Sequence, residues 1–250
     1  MALGNVIGSN IANIGLIMGS CAIVSGLIVH FKAIRLELLW MIGSMILFVV
    51  MGLDGNYSLF DGLLLLSVFV IFLVTLLRAA MKTRNIRTDA AELSKNLSSI
   101  YPVSRLRCTV AILSGLAILL TGAQAIVMGA VGLATELGID EFVIGVTIVA
   151  VGTSLPELAV SIMGIRKGDS EIALSNIVGS NIFNSIFVLG LAVTAGGFLV
   201  DLPIIQFNGI AMLLFGSVLM IVARFFNFVG RKTGVFLLAS YALFVILSIG

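Results

Sequence analysis

Charge is what this sequence has least of. Only 10 % of its 250 residues are Asp, Glu, Lys or Arg, against 60 % hydrophobic residues and a mean hydropathy of +1.23. That balance excludes a soluble domain and marks a multi-span membrane protein. A net charge of +2 gives no reason to expect a nucleic-acid partner. Cysteine is scarce too: Cys21 lies inside one apolar run and Cys108 at the start of another, two isolated residues that give neither a metal pattern nor a disulfide framework, and both read as packing residues. The single histidine, His30, closes the first apolar run beside Lys32 and Arg35, an interfacial position rather than that of a proton relay. No cation precedes the apolar run that starts at Ala2, so a cleavable signal pattern is not expected.

Apolar runs set against their flanking charges predict eight spans, at about 4–29, 36–53, 58–77, 106–128, 142–164, 172–198, 203–223 and 233–250. If the first span ends in the cytoplasm, all 14 Lys and Arg fall on that side. The opposite loops carry Asp54, Asp61, Glu136, Asp140, Glu141 and Asp201 with no basic residue. This positive-inside pattern predicts a multi-pass protein of the plasma or inner membrane with both termini of this chain outside. Residues 78–107 hold seven basic residues against two acidic ones, and 80–105 are expected to form a cytoplasmic linker. Trp40, Tyr57 and Tyr101 are expected at the membrane interfaces, as belt residues.

Against that apolar background, Gly152 to Asn184 stands out. Glu157 is the only charged residue between Phe142 and Ile165, and an acid buried there costs several kcal/mol unless it is paired or lines an ion path. Pro156 cannot donate a backbone hydrogen bond, so the carbonyl of Gly152 loses its helical partner and is free for a cation. Thr153, four residues before Glu157, shares its helix face, and Ser154 borders it. The next run carries Ser175, Asn176, Ser180, Asn181 and Asn184, with Ser180 and Asn184 in one column. Hard oxygens of this kind suit Ca²⁺ or Na⁺ rather than zinc or copper.

An internal repeat ties the two ends of the chain together. Asn5 to Asn13, NVIGSNIAN, matches Asn176 to Asn184, NIVGSNIFN, at a constant offset of 171, and Gly19 matches Gly190. The first copy runs from outside to inside and the second from inside to outside, so the copies are inverted, the architecture of secondary transporters. Gly4 with Gly8, Gly15 with Gly19, and Ser175 with Gly179 would serve close helix packing as well as any site. Packing does not account for Asn13, Asn184 or Glu157, because apolar residues would pack without burying a polar group.

GTSLPE at 152–157, and GSN followed by Asn at 8–13 and 179–184, resemble the signature repeats of the sodium/calcium exchanger family, and most closely its prokaryotic members. The resemblance covers the whole chain. It implies an all-α polytopic fold of ten helices in two inverted halves of five, of which about eight are present here. Residues 1–79 would be an incomplete first half and 106–250 a complete second half. It implies transport rather than enzyme catalysis: Ca²⁺ exchanged for Na⁺ or H⁺ by alternating access, with no cofactor and no obligate protein partner. Residue by residue, it implies Glu157 as the central carboxylate, Thr153 and Ser154 beside it, the carbonyl of Ala150, and Asn184, Ser180, Asn13 and Ser9 on facing helices. Some family members have Asp at the position of Asn184. The family also carries a second GTSLPE-like motif before the first GSN, which this sequence lacks, so a segment upstream of Met1 is expected. The alternative is a non-transporting, truncated or degenerate membrane protein that keeps the exchanger fold.

Overall fold

A computed structural model describes residues 2–84 and 105–249. Eight helices in it are long and apolar enough to cross a membrane: α1 (Ala2–Val24), α2 (Phe31–Asp54), α3 (Leu59–Ala79), α4 (Leu106–Glu136), α5 (Glu141–Arg166), α6 (Ser170–Gly196), α7 (Leu202–Phe225) and α8 (Arg231–Ser248). Their number and order agree with the hydropathy reading, while three ends move, α2 starting at Phe31 rather than at about 36. Helix α1 stops at Val24 because Gly26 takes a left-handed φ of 72°, turning the chain into a short strand. Helix α4 continues past 128 to Glu136, and the chain then turns at Gly138 with φ 71°. At ~1.5 Å per residue α4 is about 46 Å long, more than a bilayer's hydrocarbon core, so it lies tilted or extends beyond it.

The 171-residue offset governs much more than the GSN motif. Moved by that amount, Phe31–Asp54 becomes Leu202–Phe225, so α2 maps onto α7 end to end. Strand β1 (Leu27–Ile28) maps onto β3 (Phe198–Leu199), while β2 (Asn56–Tyr57) falls one residue from β4 (Phe228–Val229). The strands pair across the repeats, β1 antiparallel to β4 with Leu27 opposite Val229, and β2 antiparallel to β3 with Asn56 opposite Leu199. Six consecutive spans reverse direction five times, so α1 and α6 run oppositely and the repeats are inverted. One strand pair closes each end of the bundle. The β1/β4 end carries Lys32, Arg35, Arg166, Lys167, Arg224, Arg231 and Lys232, and the β2/β3 end carries Asp54, Asp61, Asp140, Glu141 and Asp201.

Helix α1 is the axis of the bundle: Val6, Ile7, Ile11, Ile14 and Ile17 are all fully buried. By contrast, α4 packs mainly along α5 and turns Ile112, Leu113, Ile118 and Leu133 outward. Tyr57 is not a belt residue. It turns inward from β2, fully buried, donates its hydroxyl to the Phe48 carbonyl at 2.8 Å, and packs its ring at a tilt against those of Phe48 and Phe198. Trp40 is half-buried, edge-on to Phe72. Tyr101 and most of the expected linker, 85–104, lie outside the described residues. Cys21 is buried, but Cys108 is exposed on α4 rather than packed. His30 is exposed at the β1/β4 end, 3.8 Å from Glu171.

Candidate cation-binding site

The site begins with the break that Pro156 imposes on α5. Ser154 closes the first part of the helix by donating its N–H to the carbonyls of Ala150 (3.2 Å) and Val151 (3.1 Å), and helix resumes over Leu155–Arg166 with the proline in its first turn. A proline there has no N–H to return to Gly152, which is why the interruption falls where it does. Glu157 follows in the same turn, half-buried, and its Oε2 is enclosed with no hydrogen-bond partner.

Two glycines let α1 approach this break. A Cβ on Gly4 would stand 2.7 Å from the Phe142 carbonyl oxygen, and one on Gly8 would stand 2.2 Å from that of Val146, so a larger residue at either position would hold the helices apart. The approach places Ser9 Oγ 3.1 Å from Thr153 Oγ1 and 3.5 Å from the Ala150 carbonyl. Asn5 Oδ1 accepts from Thr153 Oγ1 at 3.0 Å and from Ser9 Oγ at 3.2 Å. Three of the expected ligands, Ser9, Thr153 and the Ala150 carbonyl, therefore form one cluster across the α1/α5 contact.

The other expected ligands sit where the helices widen. Asn13 opens a π-helical turn, Asn13–Met18, and Asn184 lies in its repeat mate, Phe183–Val188. A π turn inserts one residue into the helical register, a feature that recurs at functional sites. Asn13 is 1 % exposed, and neither its Oδ1 nor its Nδ2 meets a partner. Ser154 is buried, while Ser180 and Asn184 are half-buried on α6. Among the described residues no side-chain hydrogen bond joins Glu157, Ser154, Asn13, Asn184 or Ser180 to one another or to the Ser9 cluster. No three of His, Cys, Asp and Glu converge among the described residues either. The donors are thus one carboxylate and neutral oxygens, a set suited to a hard cation.

Several polar residues near the site are not singled out by the motif alone. Asn5 gathers the two hydroxyls; Asn176 donates to α5; Asn10, fully buried, donates to Ser185 Oγ at 2.8 Å across the α1/α6 contact. Asn5, Asn10 and Asn176 belong to the repeated motif, which was the available signal. Asn208, buried in α7 with an unpartnered Oδ1, had only its isolation in an apolar run to mark it.

Residues 1–78 and 108–250 match the family described as sodium/calcium exchanger protein. Among curated proteins, the putative antiporter CaxA of Alkalimonas amylolytica is 39 % identical over 191 residues, 76 % of this chain and 59 % of its own length. Inner membrane protein YrbG of Escherichia coli is 38 % identical over 197 residues, with the same coverages, and the uncharacterized membrane protein MJ0091 of Methanocaldococcus jannaschii 35 % over 241, 96 % of this chain and 74 % of its own. This chain thus spans about six-tenths of the length of the first two relatives. A solved structure of the sodium-calcium exchanger NCX_Mj superposes with a TM-score of 0.72 at 30 % identity, over all of this chain and 77 % of that one.

Proposed function

Because the chain belongs to the sodium/calcium exchanger family, a family of multi-pass membrane transporters, we propose that it carries the ion-translocating helices of an antiporter exchanging Ca²⁺ for Na⁺ or H⁺. Glu157 supplies the charge that offsets cation dehydration. Thr153, Ser154, Ser9, Ser180 and the Ala150 carbonyl supply neutral oxygens, and the repeat mates Asn13 and Asn184 add their amide oxygens from α1 and α6. The observation that carries this reading is that, among the unsatisfied buried groups of the described residues, two belong to the expected ligands, the Asn13 amide and Glu157 Oε2. Each unpartnered polar group costs about 1–3 kcal/mol in a dry interior, more for a charged one. A cation that takes its ligands from these atoms removes that cost while it is bound.

The inverted halves supply the motion. A site shared by two oppositely directed repeats can be opened to either face by rocking one half against the other, and the two-residue strand pairs at each end are the small contacts such rocking must accommodate. Residues 1–79 act as one half, 106–250 as the other, and 80–105 as the cytoplasmic linker. The basic β1/β4 end faces the cytoplasm and the acidic β2/β3 end faces out, where its carboxylates raise the local cation concentration. The test is uptake of radiolabelled Ca²⁺ into sodium-loaded vesicles of the purified protein, with sodium or proton gradients imposed in turn. Ca²⁺ uptake driven by neither gradient would refute the proposal.

A further inference from the structure

Asn176 stands outside the set of expected ligands, yet its side chain bonds directly to the main chain of Glu157. Its Nδ2 donates to the Glu157 carbonyl at 3.0 Å and to Ser161 Oγ at 2.9 Å. Those two acceptors are one turn apart on α5, so both protons of a single amide are spent on the turn that bears the carboxylate. Ser161 is fully buried, and Gly164 further along the same helix packs on Ile172 of α6 with only 3.2 Å for an added Cβ. The α5/α6 contact is thus tight, and Asn176 is a polar bond within it.

On α6, Asn176 is followed one turn later by Ser180 and two turns later by Asn184. The residue that grips the Glu157 turn therefore stands at the foot of the column that carries two expected ligands. A slip of α6 along α5 would move Ser180 and Asn184 away from the carboxylate together. Each helical residue advances ~1.5 Å, and coordination distances tolerate only a few tenths of an ångström. The repeat mate Asn5 does something different: its Oδ1 accepts the Ser9 and Thr153 hydroxyls. Within this chain, then, it is Asn176 of the two repeat mates that donates to the Glu157 turn.

We infer that Asn176 is a positioning residue for cation binding: by holding the Glu157 carbonyl, it fixes the register of α6 against α5 and so the spacing of Ser180 and Asn184 from the carboxylate. The inference rests on the exchanger reading of the site. A purely structural clamp would stabilise the ion-free protein, whereas a positioning role shows in the response to the ion. The measurement is the melting temperature of the purified protein in detergent across a Ca²⁺ titration, for wild type, Asn176→Ala, Asn176→Ser and Ser161→Ala. Asn176→Ala is expected to raise the Ca²⁺ concentration for half-maximal stabilisation about tenfold, the scale of one lost hydrogen bond. Asn176→Ser, which keeps one donor, should recover most of this and rise only about threefold. Ser161→Ala leaves the bond to Glu157 in place and should stay near wild type. A midpoint for Asn176→Ala within twofold of wild type, with only the ion-free melting temperature lowered, overturns the inference. An effect of Ser161→Ala as large as that of Asn176→Ala also overturns it. If Asn176→Ala does not fold, the near-isosteric Asn176→Leu, which keeps the volume and removes the donor, decides, and a wild-type midpoint there overturns it. Absence of any Ca²⁺ stabilisation in wild type refutes the exchanger reading itself, and the inference with it.

Discussion

Gly8 and Gly179 occupy the same place in the two copies of the GSN motif, and the structure predicts opposite outcomes for the same substitution. At Gly8 a methyl group would stand 2.2 Å from the Val146 carbonyl oxygen and 2.6 Å from Ala150 Cβ, about 1.2 Å short of the 3.4 Å at which ordinary contact begins. Neither obstacle is the far end of a flexible side chain, so α1 must move away from α5. Overpacking of this kind costs about 1–3 kcal/mol, and the rigid neighbours place Gly8→Ala near the top of that range. Replacing a helical glycine returns ~1 kcal/mol of propensity, leaving a net loss of about 2 kcal/mol. For a chain of this length that lowers the melting temperature by about 4–8 °C. At Gly179 nothing stands within 4 Å of the added methyl, so Gly179→Ala in this 250-residue chain keeps only the propensity gain and melts at or slightly above wild type. A thiol-reactive dye provides the assay, since Cys21 is buried on α1 and becomes reactive on unfolding; Cys108→Ser removes the exposed background thiol. Equal shifts for the two alanine variants would refute the packing argument.

The remaining predictions are shorter. With both native cysteines replaced, Asn56→Cys and Asp201→Cys should react with an impermeant maleimide in intact cells, and Lys232→Cys only after permeabilisation; the reverse pattern would invert the topology. Tyr57→Phe removes the bond to the Phe48 carbonyl and should cost about 1–2 kcal/mol, read as a lower melting temperature. Burial first, and then the charges of Asp61 and Asp54, push the Tyr57 hydroxyl above the ordinary tyrosine value of about 10. The folded state therefore holds this proton more tightly than the unfolded chain, so the stability contribution is complete below pH ~10 and falls as pH rises beyond it. Tyr57→Phe should flatten that alkaline loss, and an unchanged alkaline limb would contradict it. Asn184→Asp adds a carboxylate to the cage and should lower the Ca²⁺ concentration for half-maximal exchange, because ligand charge count sets calcium affinity.

Most of the architecture was legible because membrane helices declare themselves locally. Eight apolar runs, one-sided basic residues and a 171-residue repeat need no tertiary information. The ends were less legible. Gly26 and Gly138 end α1 and α4 by taking left-handed φ, and neither stands out among 27 glycines. Tyr57 was misplaced because an aromatic beside a predicted interface looks like a belt residue; only the β2/β3 pairing, a long-range contact, shows that it turns inward. At the site, the sequence marked the helix break at Pro156 and the amide at Asn13. It could not show that the repeat mates Asn5 and Asn176 hold different partners, since that depends on how α5 lies against α1 and α6. The π turns Asn13–Met18, Gly145–Val149, Phe183–Val188 and Ile205–Gly209 were likewise out of reach, because an inserted residue leaves no mark on hydropathy.

The central claim is that the enclosed carboxylate of Glu157 carries the transported cation, and Glu157→Gln tests it most directly. The substitution keeps the size and shape of the side chain, removes its charge and replaces one acceptor oxygen by an amide NH2, so the protein should insert and fold as wild type does. Sodium-gradient-driven Ca²⁺ uptake should then be present in wild-type vesicles and fall to the background of protein-free vesicles for Glu157→Gln. Uptake by Glu157→Gln at the wild-type rate, with equal protein in the membrane, would contradict the account.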